Sequence, residues 1–277
     1  MAGKKKDTSL LHHLIGSRSL VWNLAKNDIK KKFAGSYFGV VWAFVQPVIT
    51  VLLYWFVFEK GLNSKATDLR TGIEIPFVLW LTAGLVPWFY FQEALNGGTG
   101  VLVEYSYLVK KVVFQIDMLP VVKMISALFT HLFFVAFTIV LFICMGYMPD
   151  WYALQVVYYS FCMILFATGL VYATSAVTVF FRDMKEVVGI LLQIGMWVTP
   201  IMWSFETMVQ IPGWAIAVLK LNPMYYIVSG YRNALINHIG FWENMGITVY
   251  FWVVTAVILF LGTTVFKRLR PHFADVL

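Results

Sequence analysis

Few side chains in this sequence are equipped for chemistry, and their placement limits what the chain can do. Asp, Glu, Lys and Arg make up 13% of its 277 residues, about half the share usual in a soluble domain. Within the long apolar runs only Glu93 and His131 can ionise. Placing a charged group in lipid costs about 2.5–3.5 kcal/mol even on insertion scales, so each needs a partner or a task. Glu93 is expected to pair with a basic residue of the loop that follows it. His131 is expected to be a neutral histidine hydrogen-bonded to a neighbouring helix. Together they do not make the chain of acids a proton relay needs. No G-x-x-x-x-G-K-[ST] phosphate loop occurs, so any nucleotide hydrolysis would belong to another polypeptide. H-E-x-x-H, G-x-S-x-G and paired metal-ligand spacings are also missing. Cys144 and Cys162 sit in apolar runs as small hydrophobes. Gly97-Gly98-Thr99-Gly100 has the composition of a phosphate cradle, but directly after a span it reads as a flexible hinge. The chain is not predicted to be an enzyme, and no cofactor is expected in it.

The elements that carry these groups are membrane spans. With 60% hydrophobic residues and a mean hydropathy of +0.76, the sequence is predicted to fold as an all-α integral membrane protein. Trp22, Ala25, Ile29 and Phe33 recur at spacings of three and four, with Lys26, Lys30, Lys31 and Lys32 beside and opposite them. That pattern predicts an amphipathic helix in the membrane interface, and residues 1–36 form a cytoplasmic arm around it. Residues 37–277 are read as one domain with six transmembrane helices, at about 38–58, 76–96, 120–148, 151–181, 187–205 and 246–266. The 19 uncharged residues from Val40 to Phe58 cover roughly the 30 Å of a hydrocarbon core.

Charge orients the spans. The arm, the 104–123 loop, the 182–186 turn and the tail hold 16 basic and 7 acidic residues, a net of +9; elsewhere 5 face 7, a net of −2. Both termini are therefore expected in the cytoplasm. Because the net +7 sorts by membrane side, nucleic acid is not an expected partner, whereas membrane lipids are. Ser204 to Glu243 is too apolar for a free loop yet broken by prolines and glycines. Its two short helical stretches, Trp214–Leu221 and Tyr225–Ile236, are expected to form an external re-entrant hairpin, since irregular backbone at membrane depth must be buried or face water.

Two cytoplasmic segments invite contact with a partner. Val101, Leu102, Tyr105, Leu108, Val109, Val112 and Val113 fall at helical spacing with Glu104, Lys110 and Lys111 among them, followed by Phe114. This is an interfacial helix or a docking helix for a soluble protein. The turn Arg182-Asp183-Met184-Lys185-Glu186 is a plain connection or a second contact. Aromatic residues reach 18%, with 11 Trp, more than two interfacial belts require. Trp151, Tyr152, Phe241 and Trp242 border spans as anchors. Trp42, Trp88, Phe89 and Trp197 either stack on sugar rings along a path or pack in the core. Arg232, in the hairpin, would meet a phosphate through its planar fork or pair with Glu206 or Glu243.

At several points in register the sequence resembles the type-2 ABC transporter permeases. Tyr37-Phe38-Gly39-Val40-Val41-Trp42 through Gln46-Pro47 is similar to their LGxxWxxxxP lead-in, with Phe38 in place of Leu. Lys110-Lys111-Val112-Val113-Phe114 with Leu119-Pro120 resembles K-x-x-F-P…LP, with Gln115 where Pro is usual. Phe181-Arg182-Asp183, Thr199-Pro200-Ile201, Asn222-Pro223-Met224-Tyr225 and Tyr231-Arg232 follow in the family's order. Tyr54-Trp55-Phe56-Val57-Phe58 and Val86-Pro87-Trp88-Phe89 look more like the polysaccharide and teichoic acid exporters than the drug exporters. The resemblance implies a homodimeric permease in the bacterial cytoplasmic (inner) membrane with two ATP-binding cassette subunits, which would bind the ATP and Mg. It implies a glycopolymer cargo on undecaprenyl diphosphate: wall teichoic acid, O-antigen or capsule. It also implies that Glu104, Tyr105, Lys110, Lys111, Phe114, Arg182, Asp183 and Glu186 couple the ATPases to the spans. One alternative is export of a drug or small lipid, which an aromatic-poor channel would suit. Another is a membrane enzyme acting on polyprenyl phosphates, which would need clustered Asp, Arg and His at one membrane face.

Overall fold

The computed structural model describes residues 18–32, 34–109, 115–205 and 212–277. Helix α1 (Arg18–Lys32) precedes α2 (Trp42–Trp55), which continues into a wider turn over Phe56–Gly61. A two-stranded antiparallel hairpin, β1 (Ala66–Thr67) and β2 (Glu74–Ile75), leads into the long α3 (Phe77–Glu104) and the short α4 (Ser106–Val109). Next come α5 (Met118–Cys144), α6 (Gln155–Phe180) and α7 (Met184–Val198). Two short helices, α8 (Gly213–Lys220) and α9 (Pro223–Arg232), occupy the stretch where two were expected. The chain closes with α10 (Met245–Leu269) and α11 (Phe273–Val276).

Four of these elements are long and apolar enough to cross a membrane: Trp42–Gly61, Met118–Cys144, Trp151–Phe180 and Met245–Val276. The other two expected spans differ for separate reasons. Helix α7 has 15 residues, about 22 Å, and Thr199-Pro200 ends it before the expected 205. Helix α3 is 28 residues long, but Gln92, Glu93, Asn96 and its glycines dilute its hydropathy. It does not need a lipid-compatible surface, because every residue from Phe77 to Trp88 is buried, with α5, α6, α7 and α9 packed around it. The expected hinge at Gly97-Gly98-Thr99-Gly100 is instead continuous helix within α3. A Cβ on Gly98 would lie 2.4 Å from Val171 Cγ1, so its glycine lets α3 and α6 close up.

Near the chain termini, α1 lies along α5. Its buried face is Val21, Ala25 and Asp28, against Met118 and Val122, so the stripe expected through Trp22 is rotated. Trp22 stays 45% exposed and meets the Phe129 ring at 5.1 Å. The tail is tied to the same end. Arg270 donates to Asp117 at 2.7 Å, and Phe273 is fully buried against Phe180 and Phe266. The β-hairpin and α8–α9 mark the far end. His131 sits between, 3.2 Å from the Ser160 hydroxyl and 3.1 Å from that of Tyr231, joining α5, α6 and α9.

Candidate functional site

Two cavities open at different levels of α3, the near one among α1, α2, α3 and α5 and the far one among the β-hairpin, α3, α9 and the turn after α7. The near one, about 720 Å³, is lined by Lys31, Lys32, Trp42, Gln46, Phe89 and Glu93 among others. The far one, about 900 Å³, is bounded by Asn63, Phe77, Trp80, Phe205, Tyr225 and Arg232 among others. Along α3 the step from Trp80 to Phe89 is nine residues, or about 14 Å.

The near cavity is walled by an ion-pair network. Lys123 of α5 donates to Asp28 of α1 at 2.6 Å and pairs with Glu104 at 2.8 Å. Tyr105 donates to the same Asp28 carboxylate at 2.9 Å. Burial and that hydrogen bond push the Tyr105 hydroxyl above its ordinary pKa, so it stays a donor. Glu93 pairs at 2.7 Å with Lys32 of α1, where the sequence suggested the loop after it, whose Lys110 and Lys111 lie outside the described residues. The Asp28–Lys123 pair is not among the pairings expected from the sequence. Its signal was present: Asp28 is the one acid in α1, and Lys123 the one charged residue of α5. A lone lysine in an apolar run implies a counter-charge.

The residues singled out by sequence fall into different environments. Trp42 and Phe89 line the near cavity. Trp197, 57% exposed, lies on the outer side of α7. Trp88 is a core residue, 2% exposed, with its ring tip against Gly195 of α7. Trp88→Ala should therefore lower stability by about 3–5 kcal/mol through the void it leaves. Trp42→Ala, on the surface of α2, should stay within about 0.5 kcal/mol of the native protein. Melting in detergent separates these outcomes, and equal losses at both positions would put Trp42 in the core too.

Of the contact residues, Glu104 and Tyr105 belong to the network around α1, with Tyr105 buried. Arg182, Asp183 and Glu186 are exposed. Lys110, Lys111 and Phe114 lie outside the described residues. The two segments adjoin at the near end of α3, where the Lys185 side chain passes Gly100 in ordinary contact range of a Cβ placed there. Arg232 is turned inward, not held open for phosphate or paired with Glu243; Glu206, the other expected partner, lies outside the described residues. The Arg232 donors reach the carbonyls of Trp80 (3.3 Å), Pro200 (2.6 Å) and Ile201 (2.6 Å). The Glu243 carboxylate instead accepts from Gly240 N–H at 2.7 Å.

Buried ties thus join the helices, with a lysine-and-aromatic cavity at one end and a polar aromatic one at the other. The model of the ABC-2 type transporter family matches residues 19–236. This chain belongs to that family. As an ABC-2 permease it is a transport subunit, and its apolar helices make it a multi-pass membrane protein. It is 24% identical over 266 residues to the O-antigen export system permease protein RfbA of Myxococcus xanthus, covering 96% of this chain and 98% of that protein. A Klebsiella pneumoniae protein of the same name is 21% identical over 258 residues, covering 92% and 93%. A second from that organism is 20% identical over 256 residues, with the same coverage.

Proposed function

We propose that this ABC-2 permease exports a lipid-linked glycopolymer across the bacterial cytoplasmic membrane. Two copies work with two ATP-binding subunits, which hold the ATP and Mg, and both termini lie in the cytoplasm. Six crossings are made by the four apolar elements together with α3 and α7. Helix α1 lies at the cytoplasmic interface, and α8–α9 re-enter from outside. Lys110, Lys111, Phe114 and the 182–186 turn receive the push of the ATPases.

The near cavity carries this reading. Lys31 rests over the Tyr105 and Tyr107 rings and forms no ion pair among the described residues, which leaves its ammonium group able to meet a phosphate. Trp42 and Phe89 in the same cavity suit the C–H faces of sugars. A diphosphate joined to a sugar matches both halves. The O-antigen export names of the relatives support a polysaccharide over a drug or small lipid, with O-antigen, capsule and wall teichoic acid as the candidate cargoes. An undecaprenyl carrier is the matching lipid.

Purified from its native cell in mild detergent, the chain should bring down an equimolar ATP-binding subunit. In the reconstituted complex, Trp42→Ala should reduce export without lowering the melting temperature. Purification of the chain alone across several detergents would overturn the proposal.

A further inference from the structure

Among the described residues, Arg232 is a buried cation with no carboxylate beside it. Arg232 is 6% exposed and makes no ion pair among the described residues. Its fork instead donates to consecutive carbonyls, Pro200 and Ile201, in the turn that leaves α7. Its guanidinium lies 3.3 Å from the centre of the Trp80 ring, whose negative face attracts it. A charge out of water is costly unless its hydrogen bonds are well made. Only a planar fork spans two neighbouring carbonyls with parallel donors; a lysine offers a point charge. The surroundings are cut to fit, since a Cβ on Gly84 would lie 2.7 Å from Arg232 Nη2.

The other end of α9 is tied to the same place. Asn222 caps α9 by accepting from Met224 N–H at 3.0 Å, and its amide donates to the Thr199 hydroxyl at 2.8 Å. Both ends of a ten-residue helix thus grip residues 199–201. Helix α7 itself is thinly packed: only Val188 and Leu192 are buried, while Ile190, Leu191, Ile194 and Trp197 are exposed. Its inner end is the exposed turn at Arg182 and Asp183. Pro200, Tyr225 and Arg232 all line the far cavity.

We propose that Arg232, with Asn222, locks the α8–α9 hairpin to the outer end of α7, so that displacement of the 182–186 turn moves the wall of the far cavity. Arg232 is then a positioning residue for export. This rests on the transport reading above.

The test uses the chain with its ATP-binding subunits in lipid nanodiscs, on a Cys144→Ala, Cys162→Ala background. One spin-label pair at positions 148 and 214 reports the hairpin; another at 185 and 267 reports the inner turn. With Mg-ATP and vanadate, both distances should shift in the native protein. In Arg232→Gln the inner pair should still shift and ATP still be hydrolysed, while the outer shift and export are lost. An outer shift that persists in Arg232→Gln overturns the lock. If that variant does not assemble, Asn222→Ala with Thr199→Val is measured instead: a weakened outer shift supports the lock and an unchanged one overturns it. An immobile inner pair in the native complex would sink the transport reading, and the lock with it.

Discussion

Gly262→Val is expected to yield a protein that no longer holds α10 against α6. A Cβ on Gly262 would lie 1.9 Å from the carbonyl oxygen of Gly169, and one on Gly169 would lie 2.8 Å from backbone atoms of Ile258 and Leu259. The two helices cross backbone to backbone, with no flexible side chain that could turn aside. Lipid supplies no hydrophobic drive between spans, so close approach through small residues is what holds them. Forcing a branched side chain into this crossing should cost about 3 kcal/mol or more, a large part of the 5–15 kcal/mol that keeps a typical protein folded. Gly189→Ala is the contrast. Nothing lies within 4 Å of a Cβ there, and the helix gains up to about 1 kcal/mol of intrinsic propensity. Fluorescence-detected size-exclusion chromatography after heating would rank the two variants. A Gly262→Val protein that melts with the native one would show that the crossing can open without loss.

The same glycines show what the sequence could and could not reveal. Uncharged length is a one-dimensional property, so the runs that became α2, α5, α6 and α10 are plain in the chain, as are the breaks around α8 and α9. Which face of a helix is buried depends on what lies across from it. Gly97 to Gly100 looked like a hinge because a glycine cluster has the same composition whether it bends a chain or lets Val171 approach. Trp88 looked like Trp42 because local sequence does not distinguish the helix at the centre of a bundle from one at its edge. The apolar period of α1 pointed through Trp22, whereas burial follows Asp28, drawn inward by a lysine 95 residues away. For Arg232 the sequence offers a phosphate or a carboxylate, because side-chain charge is visible in a sequence and main-chain carbonyls are not.

Lys123→Met should release α1 and with it one wall of the near cavity. Among the interactions that hold this helix, three differ widely in size. The Lys32–Glu93 pair has a half-exposed lysine, and such pairs contribute about 0–1 kcal/mol. Val21 and Ala25 add apolar burial against Met118 and Val122, but they are small side chains. The Asp28–Lys123 pair is different, with side chains 7% and 13% exposed. Removing one partner of a buried pair leaves an uncompensated charge and costs about 3–5 kcal/mol. Tyr105 can still donate to Asp28, but Glu104 loses the same ammonium. Lys123→Met should therefore destabilise far more than Lys32→Ala and should expose the Lys26–Lys32 segment to trypsin. Adding Asp28→Leu should return much of the loss, because an apolar pair of similar volume needs no counter-charge. A double variant no more stable than Lys123→Met alone would locate the effect in Glu104 or in the methionine's fit. Because Asp28, Lys31 and Lys32 all face the near cavity, the double variant also separates two uses of this network. Restored stability with impaired export would mean that the charges act on the cargo; recovery of both would mean that they only fasten the wall.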